Sequence, residues 1–324
     1  MKTKITTILM CVGLINLTAQ SLGKVSITND GFTQKKFNHT EKKVYIKHFN
    51  INYQTVMIEW AKAKGGSNYG SATAGLALGL DGVNPDQLQK MTDQYYREFI
   101  GKLTSQGFTI VEAEEVQKNP SYQDLVLSTG GTPQMDVLAD GYLTTSPTGK
   151  SFLNHKTAAT NLGGMADSKN LEGIVVIGVN LVIPFAETRE INGGPVGGVA
   201  KITAKCDLRI SPSETLPAKG DFKRPKILTS AVEFGYKESL KWQALSQAKL
   251  KKPLEIEGVL DESTKYKATS VATTGNDFTS KYSKAYAENA VLVPCDAAKY
   301  ESGVGQAIQT YLNTGVDQFL GYWK

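Results

Sequence analysis

From Lys42 to Ile58 the chain reads as extended: Phe49, Ile51 and Tyr53 alternate with Asn50, Asn52 and Gln54 at period two, as a strand with one buried face requires. The stretch from Gly65 to Gly82 is rich in Gly, Ala, Ser and Leu and shows neither charge nor clear periodicity before Asp81, which predicts a long loop or insertion. Asn84-Pro85-Asp86 then opens a helix, with Asn84 as cap, Pro85 in the first turn, and Leu88, Met91, Tyr95, Phe99 and Leu103 on one stripe. Gly107 stops it, and Phe108 to Val111 follows as a second strand. A further helical segment is expected near Ser121, whereas Gly130 to Gly164 is polar and glycine-rich with no pattern that assigns an element.

Ile174 to Phe185 is almost continuously apolar, as a strand covered on both faces should be. From Ala200 to Ile210 the alternation is cleaner: Ala200, Ile202, Ala204, Cys206, Leu208 and Ile210 face one way, and Lys201, Thr203, Lys205, Asp207 and Arg209 the other. With Asn192-Gly193-Gly194-Pro195 between them, these two strands are expected to form a long antiparallel hairpin. Ala231 to Tyr236, Leu254 to Val259 and Val291 to Val293 read as extended, and a helix is expected from Ala297 to about Leu312, where Tyr300, Val304, Ile308, Tyr311 and Leu312 recur at helical spacing. The pattern predicts a mixed α/β fold: a central mixed sheet flanked by helices, with a long antiparallel hairpin and a C-terminal helix.

The N-terminus changes the picture of where the protein works. Lys2 and Lys4, an apolar run from Ile5 to Leu17 and the small Ala19 before Gln20 follow the order of an export signal, so cleavage near Ala19 is expected. The expected layout is a signal peptide over 1–19, an extension over 20–41 and one mixed domain over 42–324 with a possible division near 211–225. No transmembrane anchor is expected after cleavage, and the location is periplasmic or extracellular. Lys and Arg number 36 against 31 Asp and Glu, and cleavage removes only Lys2 and Lys4, so the chain stays near neutral; with its lysines dispersed, nucleic acid is not an expected partner.

Candidate chemistry is sparse. His39, His48 and His155 form no metal-ligand pair at i, i+4, and no Gly-x-Ser-x-Gly elbow or phosphate-binding glycine motif occurs. No catalytic, metal or cofactor residue is therefore assigned. Cys206 and Cys295 are a candidate disulfide in an export compartment, with two separately buried thiols as the other reading. Candidate partner contacts are Tyr69, Leu76, Leu78 and Leu80 in the glycine-rich connection, for which a buried connection is the favoured other reading because loop leucines are usually covered, and Tyr96, since only one of the adjacent Tyr95 and Tyr96 can lie on the apolar stripe. A second candidate loop spans 187–198.

Val44-Tyr45-Ile46 leading to Phe49, the helix ending at Gly107, and Phe108-Thr109-Ile110-Val111 together resemble the N-terminal α/β unit shared by the curli-secretion lipoprotein family and the TolB N-terminal domain. Asp207-Leu208-Arg209-Ile210 is similar to the later strands of that group. This is a pattern of elements over most of the mature chain, not a diagnostic motif. It implies a non-enzymatic binding or assembly role in the bacterial envelope, with an envelope protein partner such as an outer-membrane translocon. Two departures narrow it: Leu9 and Met10 before Cys11 make no lipobox, and no pair of long amphipathic hairpins is evident, so an accessory or plug subunit is expected rather than a pore. A different class is a secreted hydrolase or glycan-binding protein using Glu112, Glu114, Glu115 and exposed aromatics.

Overall fold

The computed structural model describes residues 20–63, 72–135, 141–154, 171, 173–193, 200–216, 226–238, 243–269 and 290–323. The expected signal peptide and Tyr69 lie outside them. In chain order the strands are β1 (Ser21–Leu22), β2 (Ile27–Phe32), β3 (Lys43–Gln54), β4 (Val56–Ala63), β5 (Ala72–Asp81), β6 (Thr109–Val111), β7 (Val126–Thr129), β8 (Gln134–Met135), β9 (Tyr142–Thr145) and β10 (Ser151–Asn154). Beyond these come β11 (Ile174–Ile183), β12 (Ala186–Gly193), β13 (Ala200–Cys206), β14 (Arg209–Ile210), β15 (Ser213–Leu216), β16 (Lys226–Thr229), β17 (Ala231–Lys237), β18 (Gln243–Leu250), β19 (Leu254–Glu257), β20 (Lys265–Thr269) and β21 (Val291–Pro294). The α-helices are α1 (Pro85–Ser105), α2 (Ala113–Gln117) and α3 (Ala297–Leu320).

The central sheet is mixed, in the order β2-β18-β17-β11-β3-β9-β8, with the short β6 also beside β3. β3 and β11 run parallel at its centre, and β11 is antiparallel to β17. The apolar run expected as a doubly covered strand is β11. Val175, Ile177, Val179, Leu181 and Ile183 join the large core under α1 and α3, while Val176 and Val182 pack on the opposite face. Both long helices lie on one face. The other is covered by α2 with β7 and β10, and by β16, so the two-sided flanking by helices expected from sequence is half right. The fold is mixed α/β, and richer in strand than a balanced α/β protein.

α1 starts where its sequence says it should. Asn84 is extended, and its side chain accepts a hydrogen bond from the Gln87 N–H at 2.9 Å, with Pro85 in the first turn. Gly107, at φ +84°, turns the chain into β6. Asn84→Ala is expected to cost about 1 kcal/mol, read as a lower urea midpoint at unchanged slope. α3 runs eight residues beyond the expected end at Leu312, because Val316 and Phe319 continue its buried face. Near Ser121 the chain makes α2 and then a one-turn 3-10 helix at Pro120–Tyr122 instead of a longer helix.

Two expectations are overturned. The glycine-rich stretch expected as a loop contains β5, which pairs antiparallel with β4 from Val56↔Gly79 to Ala63↔Ala72. The expected hairpin of 174–185 with 200–210 is instead β12 with β13, from Ala186↔Cys206 to Gly193↔Ala200. Pro184 has no N–H to continue a ladder; β11 stops at Ile183 inside the central sheet, and the chain starts a new strand. The structure thus holds a pair of hairpins, β4–β5 and β12–β13, where the sequence pointed to a single one built from different strands. Extended by β21 and β20 respectively, the two small sheets pack on each other, β12 against β4 and β13 against both β4 and β5. Ala74, Leu76 and Leu78 of β5, and Ala200, Ile202, Ala204 and Cys206 of β13, belong to the same core.

Candidate functional site

The residues singled out from sequence do not converge. Leu76 and Leu78 are buried in β5 and Leu80 is half-buried, so they serve the core rather than a partner. Tyr96 is buried as well, edge-on to Phe49 with ring centroids 5.3 Å apart, and Tyr95 is buried beside it. The single apolar stripe expected on α1 is in fact a wide face that takes both tyrosines. Of the second candidate loop, 187–193 belongs to β12 and 194–198 lies outside the described residues.

Cys206 is buried and Cys295 half-buried, and in this structure both are free thiols. Burial pushes the Cys206 thiol up to about 11; burial and the neighbouring Asp296 carboxylate push Cys295 up to about 12. Both are poor nucleophiles at neutral pH.

Glu112, Glu114 and Glu115 surround the start of α2 and are engaged locally. Glu112 pairs with Lys150 at 2.9 Å, Glu115 with Lys118, and Glu114 is held below the usual carboxylate range by its hydrogen bond with Ser151. Beside them is a shallow depression of about 480 Å³ lined by Val111, Glu115, Val116, Lys118, Asn119, Leu171 and Ile174. His39 is exposed after β2, His48 sits on β3 over Gly178, and His155 lies outside the described residues. Among the described residues no three His, Cys, Asp or Glu side chains are placed to hold a metal.

Two features not anticipated from sequence stand out. The first is apolar exposure at sheet edges. The exposed large hydrophobic residues among those described are Phe32, Val126, Met135, Ile227, Val291 and Leu292. Phe32 is on β2 and Met135 on β8, the two outer strands of the central sheet; Val126 and Ile227 are on two-stranded ribbons; Val291 and Leu292 are on β21, the outer strand of its sheet. Leu292 is 61% exposed and Val291 50%. Sequence shows the apolar residues of β21 but not that, among the described residues, it has a neighbour on one side only.

The second feature is a carboxyl cluster at the root of the β12–β13 hairpin. Asp207 lies between β13 and β14, Glu187 is on β12, and Glu255 is on β19 directly opposite Arg209. Arg189 of β12 pairs with Glu187 and lies 3.9 Å from the Asp207 carboxyl, so one cation faces both acids. The Arg209 guanidinium, 9% exposed, reaches Asp207 at 3.2 Å and Glu214 at 3.0 Å. Burial first, then contact with Asp207, raises the Glu255 carboxyl to about 7 and Glu187 above its ordinary range. Asp207 is held low: its burial is outweighed by its contacts with Glu187 and Glu255 and by Arg209 and Lys205. The residues come from separate segments, and only Asp207 and Arg209, on the polar side of a clear alternation, were visible as a local pair.

Compared with protein-family models, with curated proteins and with solved structures, the chain matches none. No described helix is long and apolar enough to cross a membrane.

Proposed function

We propose that this protein is an exported, non-enzymatic binding and assembly component of the bacterial cell envelope, an accessory or plug subunit of an outer-membrane secretion machine that meets its partner through strand edges. The observation that supports this reading is the distribution of exposed apolar side chains: among the described residues every large one lies on an edge or ribbon strand. An edge strand carries a row of unpaired N–H and C=O groups, and proteins that do not use such edges blunt them with charge, Pro or coverage. β21 ends at Pro294 but carries Val291 and Leu292 outward. Backbone pairing with an added strand supplies affinity, and side-chain pockets supply selectivity. The export pattern of residues 1–19 is consistent with an envelope setting.

The test is affinity purification of the tagged chain from gently solubilised envelopes of its host, with mass spectrometry of what accompanies it, for wild type and for Val291→Lys with Leu292→Lys. Stoichiometric outer-membrane or secretion proteins with wild type, and a loss of at least about tenfold with the lysine variant at unchanged melting temperature, is the expected result. Recovery of a lone monomer from wild type overturns the reading.

A further inference from the structure

Lysines that are dispersed along the sequence are gathered by the fold on one small sheet. β13 buries Ala200, Ile202, Ala204 and Cys206, so Lys201, Thr203 and Lys205 stand on the outward face of the β12–β13–β20 sheet. β20 lies beside β13 with Lys205↔Lys265, Thr203↔Lys267 and Lys201↔Thr269 in register, and its Tyr266 and Ala268 pack inward on the core. Lys201, Lys265 and Lys267 are exposed. Strand geometry puts the Cβ atoms of Lys205 and Lys265 about 5 Å apart, and those of Lys265 and Lys267 about 7 Å apart.

We propose that this face is a docking surface for anionic lipid headgroups, which the protein meets from outside the bilayer through Lys201, Lys205, Lys265 and Lys267. Like charges directly opposite on adjacent strands destabilise a sheet, and Lys205↔Lys265 is such a pair. The chain supplies little to offset it. Lys205 lies 3.8 Å from Glu187, which also pairs with Arg189, and among the described residues Lys201, Lys265 and Lys267 have no ion-pair partner. Lysine on an outer strand guards a free edge, which accounts for Lys265 and Lys267 on β20. It does not account for Lys201 and Lys205, because β13 is the middle strand.

The acids of this neighbourhood are on β12 and at the strand ends. β12 places Glu187 opposite Lys205 and Glu190 opposite Thr203 in the ladder. Asp207 follows β13 and pairs with Arg209; Asp261 and Glu262 precede β20, and Asp261 accepts from Ser263 and Thr264. β13 and β20 themselves carry no acid. A lipid surface suits this array because lysine ammonium groups are point charges without a preferred planar partner, and a headgroup layer offers many phosphates in one plane. A single-stranded nucleic acid would also want aromatic rings to stack on, and Tyr266 faces the core instead. The choice of a membrane rests on the envelope setting proposed above, but vesicle binding needs no protein partner, so its failure leaves the strand-edge reading standing.

The test is co-sedimentation of the chain, as its host processes it, with vesicles of phosphatidylcholine alone and with vesicles containing about one third phosphatidylglycerol, at about 50 and about 500 mM salt. Binding to the anionic vesicles at the lower salt, and its loss at the higher, is expected. Lys265→Gln with Lys267→Gln is expected to lower the partition coefficient about thirtyfold, roughly fivefold for each lysine. Lys201→Gln, on the neighbouring strand, is expected to cost about fivefold and serves if the double variant does not fold. Lys90→Gln with Lys252→Gln removes the same charge from exposed positions on other elements and is expected to change binding by less than about twofold. No binding to the anionic vesicles at the lower salt, equal binding to both compositions, or an equal loss from the Lys90 and Lys252 variant overturns the proposal.

Discussion

Phe319→Ala is expected to lower the stability of the protein by about 3–5 kcal/mol, a large share of the roughly 5–15 kcal/mol ordinary for a domain. Phe319 is fully buried near the end of α3 and is the shared contact of four segments. Its ring stacks on Phe234 of β17 with centroids 4.1 Å apart and planes 3° from parallel, and meets Phe37 at 5.2 Å, Phe108 at 5.6 Å and Trp323 at 6.3 Å. Phe37 lies in the turn after β2, and Phe108 in the link from α1 to β6. Truncation removes the transfer energy of the ring and leaves a cavity that aromatic neighbours on rigid elements fill poorly. Urea denaturation followed by near-UV circular dichroism measures it. A loss under about 1 kcal/mol would mean that the C-terminal turns of α3 are not part of the cooperative core.

Gly141→Ala is expected to cost about 3 kcal/mol, from backbone strain together with overpacking. Gly141 has φ of +78°, and a Cβ there would fall 1.9 Å from the Val56 carbonyl oxygen. That close approach is used: the Gly141 carbonyl accepts from the Thr55 and Val56 N–H groups at 2.9 and 3.1 Å, where the chain leaves β3 for the β4–β5 hairpin. Gly149→Ala provides the comparison. Its φ is +68° but a Cβ there meets nothing within 4 Å, so only the strain remains, about 1 kcal/mol. Equal melting temperatures for the two variants would show that the Val56 contact yields without cost.

These two positions illustrate what a sequence exposes and what it hides. α1 was legible because its signals are local: an Asn cap, a Pro in the first turn, a stripe and a Gly stop within one stretch of chain. β11 and β13 were legible because burial on two faces and on one face leave different patterns. β5 was hidden, since Ala74-Gly75-Leu76-Ala77-Leu78-Gly79 puts apolar or featureless residues on both sides and gives no alternation to read. For the site, Leu76 and Leu78 follow the other reading of this stretch, a buried connection, and in the form of a strand and not a loop. The carboxyl cluster was beyond reach for another reason: Glu187, Asp207 and Glu255 are ordinary solvated acids until pairing of β12 with β13 and β14 with β19 brings them together. The exposed edges were equally hidden, as the sequence of β21 does not say which strand lies beside it.

The irregularity in β3 carries a consequence of its own. Ile46 pairs with Ile177, but Gly178 pairs with His48, leaving Lys47 as an extra residue. Before it Val44 and Ile46 supply the helix-covered core; after it the odd-numbered Phe49, Ile51 and Tyr53 do. The strand is therefore written in two phases, with Lys47 as the punctuation between them. Excision of that one residue would merge the two phases into one, with Val44, Ile46, Phe49, Ile51 and Tyr53 alternating onto the helix-covered face of an unbulged strand.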